Sequence, residues 1–275
     1  GLIYENKETY KYLATSKADH PVALQIFGGK KETLLQALKI IDEQDIDYDI
    51  LDVNLGCPVP KVTKTGAGSA WLTRLDELKD MMTSLVKASK KPVSVKIRIG
   101  WDNDHRNVKE TVQILQESGV SLMASHPRTR NQLYTGHADY DYIKDIKDSM
   151  TVPLAISGDI FSLEDAIRFQ KLTNADYIMV ARGALGNPYL ITQIAHYFST
   201  GERLPSQTLK ENVEYLKHHF EMLVRLKGED IAVREMRGIA SHYLKGYDNT
   251  RNLKNELSTK MTSCEDFYRI IACIE

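Results

Sequence analysis

Six short apolar, β-branched runs recur along this 275-residue chain, and each stops at a glycine-bearing or polar turn. They cover 22–27, 50–54, 93–99, 121–125, 154–157 and 177–180, with charged amphipathic stretches over roughly 30–43, 73–90, 105–118, 139–149 and 162–172. Strands alternating with helices of that length specify βαβα connectivity, and so a parallel sheet with helices outside it. Pro92 and Pro153 stand at the heads of two runs, where a missing N–H costs least. Asp159 or Ser162 is the expected cap of the helix that follows them.

Parallel strands gather their C-terminal ends on one face, where α/β proteins place their ligands. That face is expected to carry Gln25, Asn54, Cys57, Lys96, Arg98, His126, Arg128, Ser157, Asp159 and Arg182. Six strands are two short of a closed (β/α)₈ barrel. The chain opens on Gly1-Leu-Ile-Tyr-Glu-Asn and a polar helical stretch. Either the sheet is open, or its first two strands lie outside this sequence.

The rhythm changes after Tyr189. A helix over 188–198 runs into a linker-like stretch, 199–205, and helices follow over about 207–226, 229–245, 249–258 and 262–273. A catalytic domain over 1–200 and a helical domain over 201–275 are expected. Residues 203–275 hold 12 Lys+Arg against 11 Asp+Glu. A nucleic-acid role there would need sorting in space, for example Arg234, Arg237, Lys245, Arg251 and Lys254 on one side. An ordinary solvated surface is the plainer account.

A formal net charge of −1 gives no global sign of nucleic-acid affinity. Three cysteines without metal-ligand spacing argue for a reducing compartment, no disulfide framework and no zinc. No His-Glu-x-x-His or carboxylate cluster points to another metal. No apolar run approaches the roughly 18 residues of a membrane span, and no signal region opens the chain. The cytoplasm is the expected location.

Cys57 ends the segment Asp52-Val-Asn-Leu-Gly-Cys, just before Pro58, at a strand-to-turn junction. A thiol there is a nucleophile, an acid or a small buried hydrophobe. Lys96 and Arg98 share a strand face with Ser94, and neighbouring inward cations call for an anionic or polar ligand. Carboxylates at the rim would serve them as well. His126 is followed by Arg128 and Arg130, a cationic loop suited to a polyanion. The turn Ala181-Arg-Gly-Ala-Leu-Gly-Asn-Pro188, paired with Ser157-Gly-Asp159, has the backbone character of a phosphate cradle, though ordinary strand-to-helix turns look similar. Cys264 and Cys273 read as packing residues.

Taken in order, Asp52-Val-Asn-Leu-Gly-Cys-Pro58, Gly66-Ala-Gly-Ser-Ala70, Val95-Lys-Ile-Arg-Ile-Gly-Trp101, His126-Pro-Arg-Thr129, Ser157-Gly-Asp159 and Ala181-Arg-Gly-Ala184 resemble the tRNA-dihydrouridine synthase family, its bacterial B-type branch above all. The resemblance spans essentially the whole chain. It implies an FMN-bearing TIM (β/α)₈ barrel, here without its first strands and their Pro-Met-Ala type flavin segment, followed by an all-helical tRNA-binding domain. It implies NADPH as electron donor and tRNA as partner, with no metal and no membrane; a monomer is expected, though the sequence does not determine it. Cys57 matches the catalytic cysteine, expected to act as proton donor and not as nucleophile. Gln25, Lys96, His126, Ser157, Gly158, Asp159, Ala181, Arg182 and Gly183 match cofactor positions. Ser157 stands where asparagine is common in the family, and Ala181 where glycine is common. Asn54, Arg98 and Arg128 match positions near the target base. The competing expectations are a flavin reductase of a small enone or pyrimidine, and a non-catalytic tRNA-binding protein.

Overall fold

The computed structural model describes residues 1–274, with the side chain of Cys273 also outside the described set, so its expected packing role is not addressed. All six expected strands form: β1 Ala23–Ile26, β2 Ile50–Leu55, β3 Val93–Arg98, β4 Leu122–His126, β5 Leu154–Ser157 and β6 Tyr177–Met179. They make one parallel sheet in sequence order. Helices Lys31–Glu43, Leu75–Ala88, Val108–Glu117, Tyr140–Lys147 and Leu163–Thr173 alternate with them, as the amphipathic stretches require. The architecture is α/β, a six-stranded parallel sheet flanked by helices, with a helical region C-terminal to it.

Strand periodicity sorts the side chains. Leu24, Ile26, Leu51, Val53, Leu55, Val93, Val95, Ile97, Met123, Leu154 and Ile156 are buried in one apolar cluster with helix residues such as Leu34, Leu38, Leu78, Leu85 and Leu115. The alternate positions face the other way. The register brings Gln25 beside Asp52, Asp52 beside Ser94, Asn54 beside Lys96, and Arg98 beside His126. One face of the sheet is therefore its core, and the other is a row of polar and charged groups.

Two compact units emerge from the contacts. One comprises Gly1–Asp159 with Ile167–Met179, and the other Ile160–Ala166 with Val180–Glu275. The second takes in helix Tyr189–Thr200 and the turn before it, ahead of the position 201 expected from the linker-like composition. Its core is a four-helix cluster from Leu209–Lys227, Glu229–Tyr243, Arg251–Thr259 and Cys264–Ile271, with Phe220 and Phe267 ring centroids 4.1 Å apart. Thr208 and Glu211 close a capping box that starts the first of these helices. Of the two expected caps, Ser162 is the one used: its Oγ accepts the Asp165 N–H at 3.0 Å. The Asp159 carboxylate is bound to Arg128. A short 3₁₀ segment, Gly68–Thr73, was not expected from composition.

Candidate active site

β2 ends at Leu55, and Cys57 sits two residues beyond it in a turn fixed from both sides. Asn54 Oδ1 accepts the backbone N–H of Gly56 at 3.1 Å and of Cys57 at 2.8 Å. The Cys57 carbonyl accepts both the N–H of Ser69 at 3.1 Å and its hydroxyl at 2.8 Å. Gly68 makes that approach possible. Its φ is +60°, and a Cβ there would lie 2.7 Å from the Cys57 carbonyl oxygen.

The Asn54 amide is oriented by a relay across three strands. With Oδ1 held by two N–H groups, its Nδ2 donates to Gln25 Oε1 at 2.9 Å. Gln25 Nε2 then donates to Asp52 Oδ2 at 2.6 Å, and Ser94 Oγ donates to Asp52 Oδ1 at 2.6 Å. Backbone donors at one end and a carboxylate at the other leave only one arrangement of both amides. Asp52, Ser94 and Ser69 were not singled out from sequence. The available signal was that Asp52 and Ser94 share strand faces with Asn54 and Lys96.

The cations differ in how they are partnered. Arg98 is 2% exposed, and it donates from Nε to the Gly56 carbonyl and from Nη1 to those of Thr129 and Leu133, at 3.0, 2.7 and 2.8 Å. Burial pushes its guanidinium down to about 10. Arg128, also 2% exposed, grips both oxygens of Asp159 at 2.9 and 2.6 Å, along with the carbonyls of Thr135 and Gly136 and the His126 ring. The observed contacts of both arginines are thus with the loop after β4 and with its neighbours.

Since Arg128 can only donate, His126 Nε2 accepts, and the imidazole proton resides on Nδ1. Burial, then the charges of Arg98, Lys96 and Arg128, push His126 down to about 3, so the ring stays neutral. Gly158, with φ +109°, packs directly beneath it: a Cβ there would fall 2.9 Å from the ring.

Lys96 is only partly buried and makes no hydrogen bond among the described residues. Burial first, and Arg98 second, push its ammonium down to about 8. The Asp52 carboxylate attracts it without a hydrogen bond, and a partly buried charge so weakly compensated weakens the folded state unless a ligand meets it. Replacing Lys96 with methionine is therefore expected to stabilise the ligand-free protein by roughly 1–3 kcal/mol. The folded value lies below the unfolded 10.5, so this gain is complete at and below pH 8 and shrinks as pH rises towards 10.5. Thermal melts of both proteins at pH 7 and 10 measure it, and equal midpoints at pH 7 would refute it.

In the other unit, Arg182–Ala184 forms a 3₁₀ turn, with Ala181 just before it and the Arg182 guanidinium 5.6 Å from the Phe161 ring centroid. Ser157 is buried at the end of β5. The carboxylate of Asp159 also accepts the Ala138 N–H at 2.9 Å. Among the described residues no group of His, Cys, Asp and Glu is arranged to hold a metal. No helix of the described residues is long and apolar enough to cross a membrane.

The model of the family described as Dihydrouridine synthase (Dus) matches residues 2–271. The chain belongs to the dihydrouridine synthase family. Among its relatives, tRNA-dihydrouridine synthase B of Shewanella oneidensis is 36% identical over 265 residues, covering 96% of this chain and 81% of that one. The probable tRNA-dihydrouridine synthase of Rickettsia conorii is 32% identical over 274 residues, 97% of this chain and 82% of that one. The probable tRNA-dihydrouridine synthase 1 of Synechocystis sp. is 34% identical over 239 residues, and the aligned part is 66% of its length. Both the dihydrouridine synthase strand-end motifs and the helical region lie within the matched residues.

Proposed function

We propose that this dihydrouridine synthase reduces the C5–C6 bond of specific uridines in tRNA, with FMN as cofactor and NADPH as reductant. The observation that carries the reading is Cys57, held rigidly in the turn after β2 within a family match covering residues 2–271.

The donor set suits a flavin. Lys96 presents an ammonium with no hydrogen bond among the described residues, and the neutral His126 carries Nδ1–H; ring carbonyl and imine acceptors answer both. Gln25 keeps a spare amide hydrogen, Ser157 a hydroxyl, and Gly158 packs closely against the imidazole. Taken within the helical unit, the turn Ala181, Arg182 and Gly183 has backbone N–H groups of the kind that take a phosphate. Asp159 contributes by holding Arg128. FMN, once reduced by NADPH, would supply the hydride for uracil C6.

The chain's own task is then the proton. Cys57 S–H donates to C5 of the uracil. Asn54 fixes the peptide that carries the thiol. Negative charge developing on the pyrimidine is met by the positive charge of Lys96 and Arg98, with the Asp52 carboxylate attracting Lys96 but not hydrogen-bonded to it among the described residues. The target base must leave its stack, which costs a few kcal/mol in a tRNA loop. In the helical unit, Arg182, His242 and Lys245 line a cavity of about 420 Å³ with Tyr189 and Tyr247, a surface suited to RNA backbone.

The six parallel strands are read as part of a (β/α)₈ barrel, and the location as cytoplasmic. Nucleoside mapping of tRNA from cells lacking, then regaining, the gene tests the function. Dihydrouridine should vanish from a defined position and return. An unchanged dihydrouridine content in the deletion strain would end the proposal.

A further inference from the structure

Two buried arginines do one unusual thing together. Besides the bond of Arg98 to Gly56, they collect four carbonyls, those of Thr129 and Leu133 for Arg98 and of Thr135 and Gly136 for Arg128. All four belong to the single loop that follows β4. The loop adds its own ties: Gln132 Oε1 accepts the Thr129 N–H at 2.7 Å, and Thr135 Oγ1 donates to the Gln132 carbonyl at 2.8 Å. Leu133 is held at φ +50°, a conformation that leucine adopts only when its surroundings enforce it. Burying two guanidinium groups to fix one surface loop is costly, and a solvated loop has no need of it.

What the fixed loop displays is Tyr134. This side chain is 54% exposed, in the middle of the clamped segment. Its ring centroid lies 6.2 Å from that of His126, at an interplanar angle of 53°, and 5.5 Å from the Arg98 Cζ. It therefore stands at the C-terminal end of the strands, beside the same imidazole that Gly158 packs under. A large aromatic face kept in water while its backbone is immobilised is a preorganised platform for a flat partner.

We infer that Tyr134 is a substrate-positioning residue whose ring packs against a nucleobase of the RNA substrate. Arg98 and Arg128 act through the loop to hold that ring in place. The inference rests on the tRNA function proposed above and adds to it a residue that selects for an unstacked base. An aromatic face accepts any base, so Tyr134 contributes grip, and sequence choice lies elsewhere.

The test uses Tyr134→Ala and Tyr134→Phe in the flavin-loaded protein with an unmodified tRNA transcript. Filter binding should show Tyr134→Ala weakened about tenfold for RNA. FMN content and the rate at which NADPH bleaches the flavin should stay within about twofold of wild type, because the ring is assigned to RNA and not to the cofactor. Tyr134→Phe should recover most of the lost affinity, since it keeps the face and the loop's carbonyl ties to Arg98, losing the hydroxyl and its hydrogen bond to Arg98. Unchanged RNA binding by Tyr134→Ala would overturn the inference. So would loss of FMN alongside RNA affinity, or a phenylalanine variant as weak as alanine. Wild-type protein that binds RNA but forms no dihydrouridine refutes the proposed function, while the binding comparison still decides Tyr134. Wild-type protein that does not bind the transcript overturns both.

Discussion

Cys57→Ala should cut dihydrouridine formation by about 10²–10⁴-fold, the range expected when a positioned proton donor is removed, while leaving NADPH-driven flavin reduction in place. The separation follows from how the turn is built. Its ties to Asn54 and Ser69 run through the Cys57 backbone N–H and carbonyl, so alanine leaves every one of them intact. Only the S–H is lost. Stopped-flow bleaching of the flavin by NADPH, followed by reoxidation on tRNA, would resolve the two halves. A variant that forms product at the wild-type rate would remove Cys57 from the chemistry. One that loses its flavin as well would make it a structural residue.

The largest effect on stability is expected at Arg128. Arg128→Ala removes a guanidinium that is 2% exposed and takes the bidentate partner from the Asp159 carboxylate. Breaking a buried pair from one side costs about 3–5 kcal/mol, because the remaining charge loses the partner that offset it. Both tryptophans, Trp71 and Trp101, lie in the sheet unit, so their fluorescence during urea unfolding reports on it. Adding Asp159→Asn to Arg128→Ala should recover part of the loss, the signature of direct coupling. A single-variant cost below about 1 kcal/mol, in the range of a surface ion pair, would show the pair to be solvent-screened and the clamp unimportant.

These outcomes bear on how far a chain of this kind is legible. Periodicity located all six strands to within a few residues, because β-branched runs bounded by glycine and proline have few other solutions. The alternation also put Ser94, Lys96 and Arg98 on one face, where the register confirms them as neighbours of Asp52, Asn54 and His126. Composition placed the linker near 199–205, yet contacts assign 160–166 and everything from Val180 onward to the helical unit. A boundary in contacts need not leave a mark in composition.

Arg98, Arg128 and Asp159 mark where legibility stops. From sequence they were expected at the target base and at the cofactor. In the structure Arg98 donates to the carbonyls of Gly56, Thr129 and Leu133, and Arg128 to those of Thr135 and Gly136, to the His126 ring and to Asp159, with partners as far as 42 residues away along the chain. Asp52 was passed over, although it anchors the relay that orients Asn54. By itself the sequence determined the order of strands and helices, the polar face of the sheet and the position of Cys57 at a strand end, because these follow from local spacing. Tertiary structure alone decided which charged groups are already partnered, which one remains open at Lys96, and which loop is frozen around Tyr134. Hydrogen-bond partners come from neighbouring strands and loops, and only the folded register brings them within 3 Å.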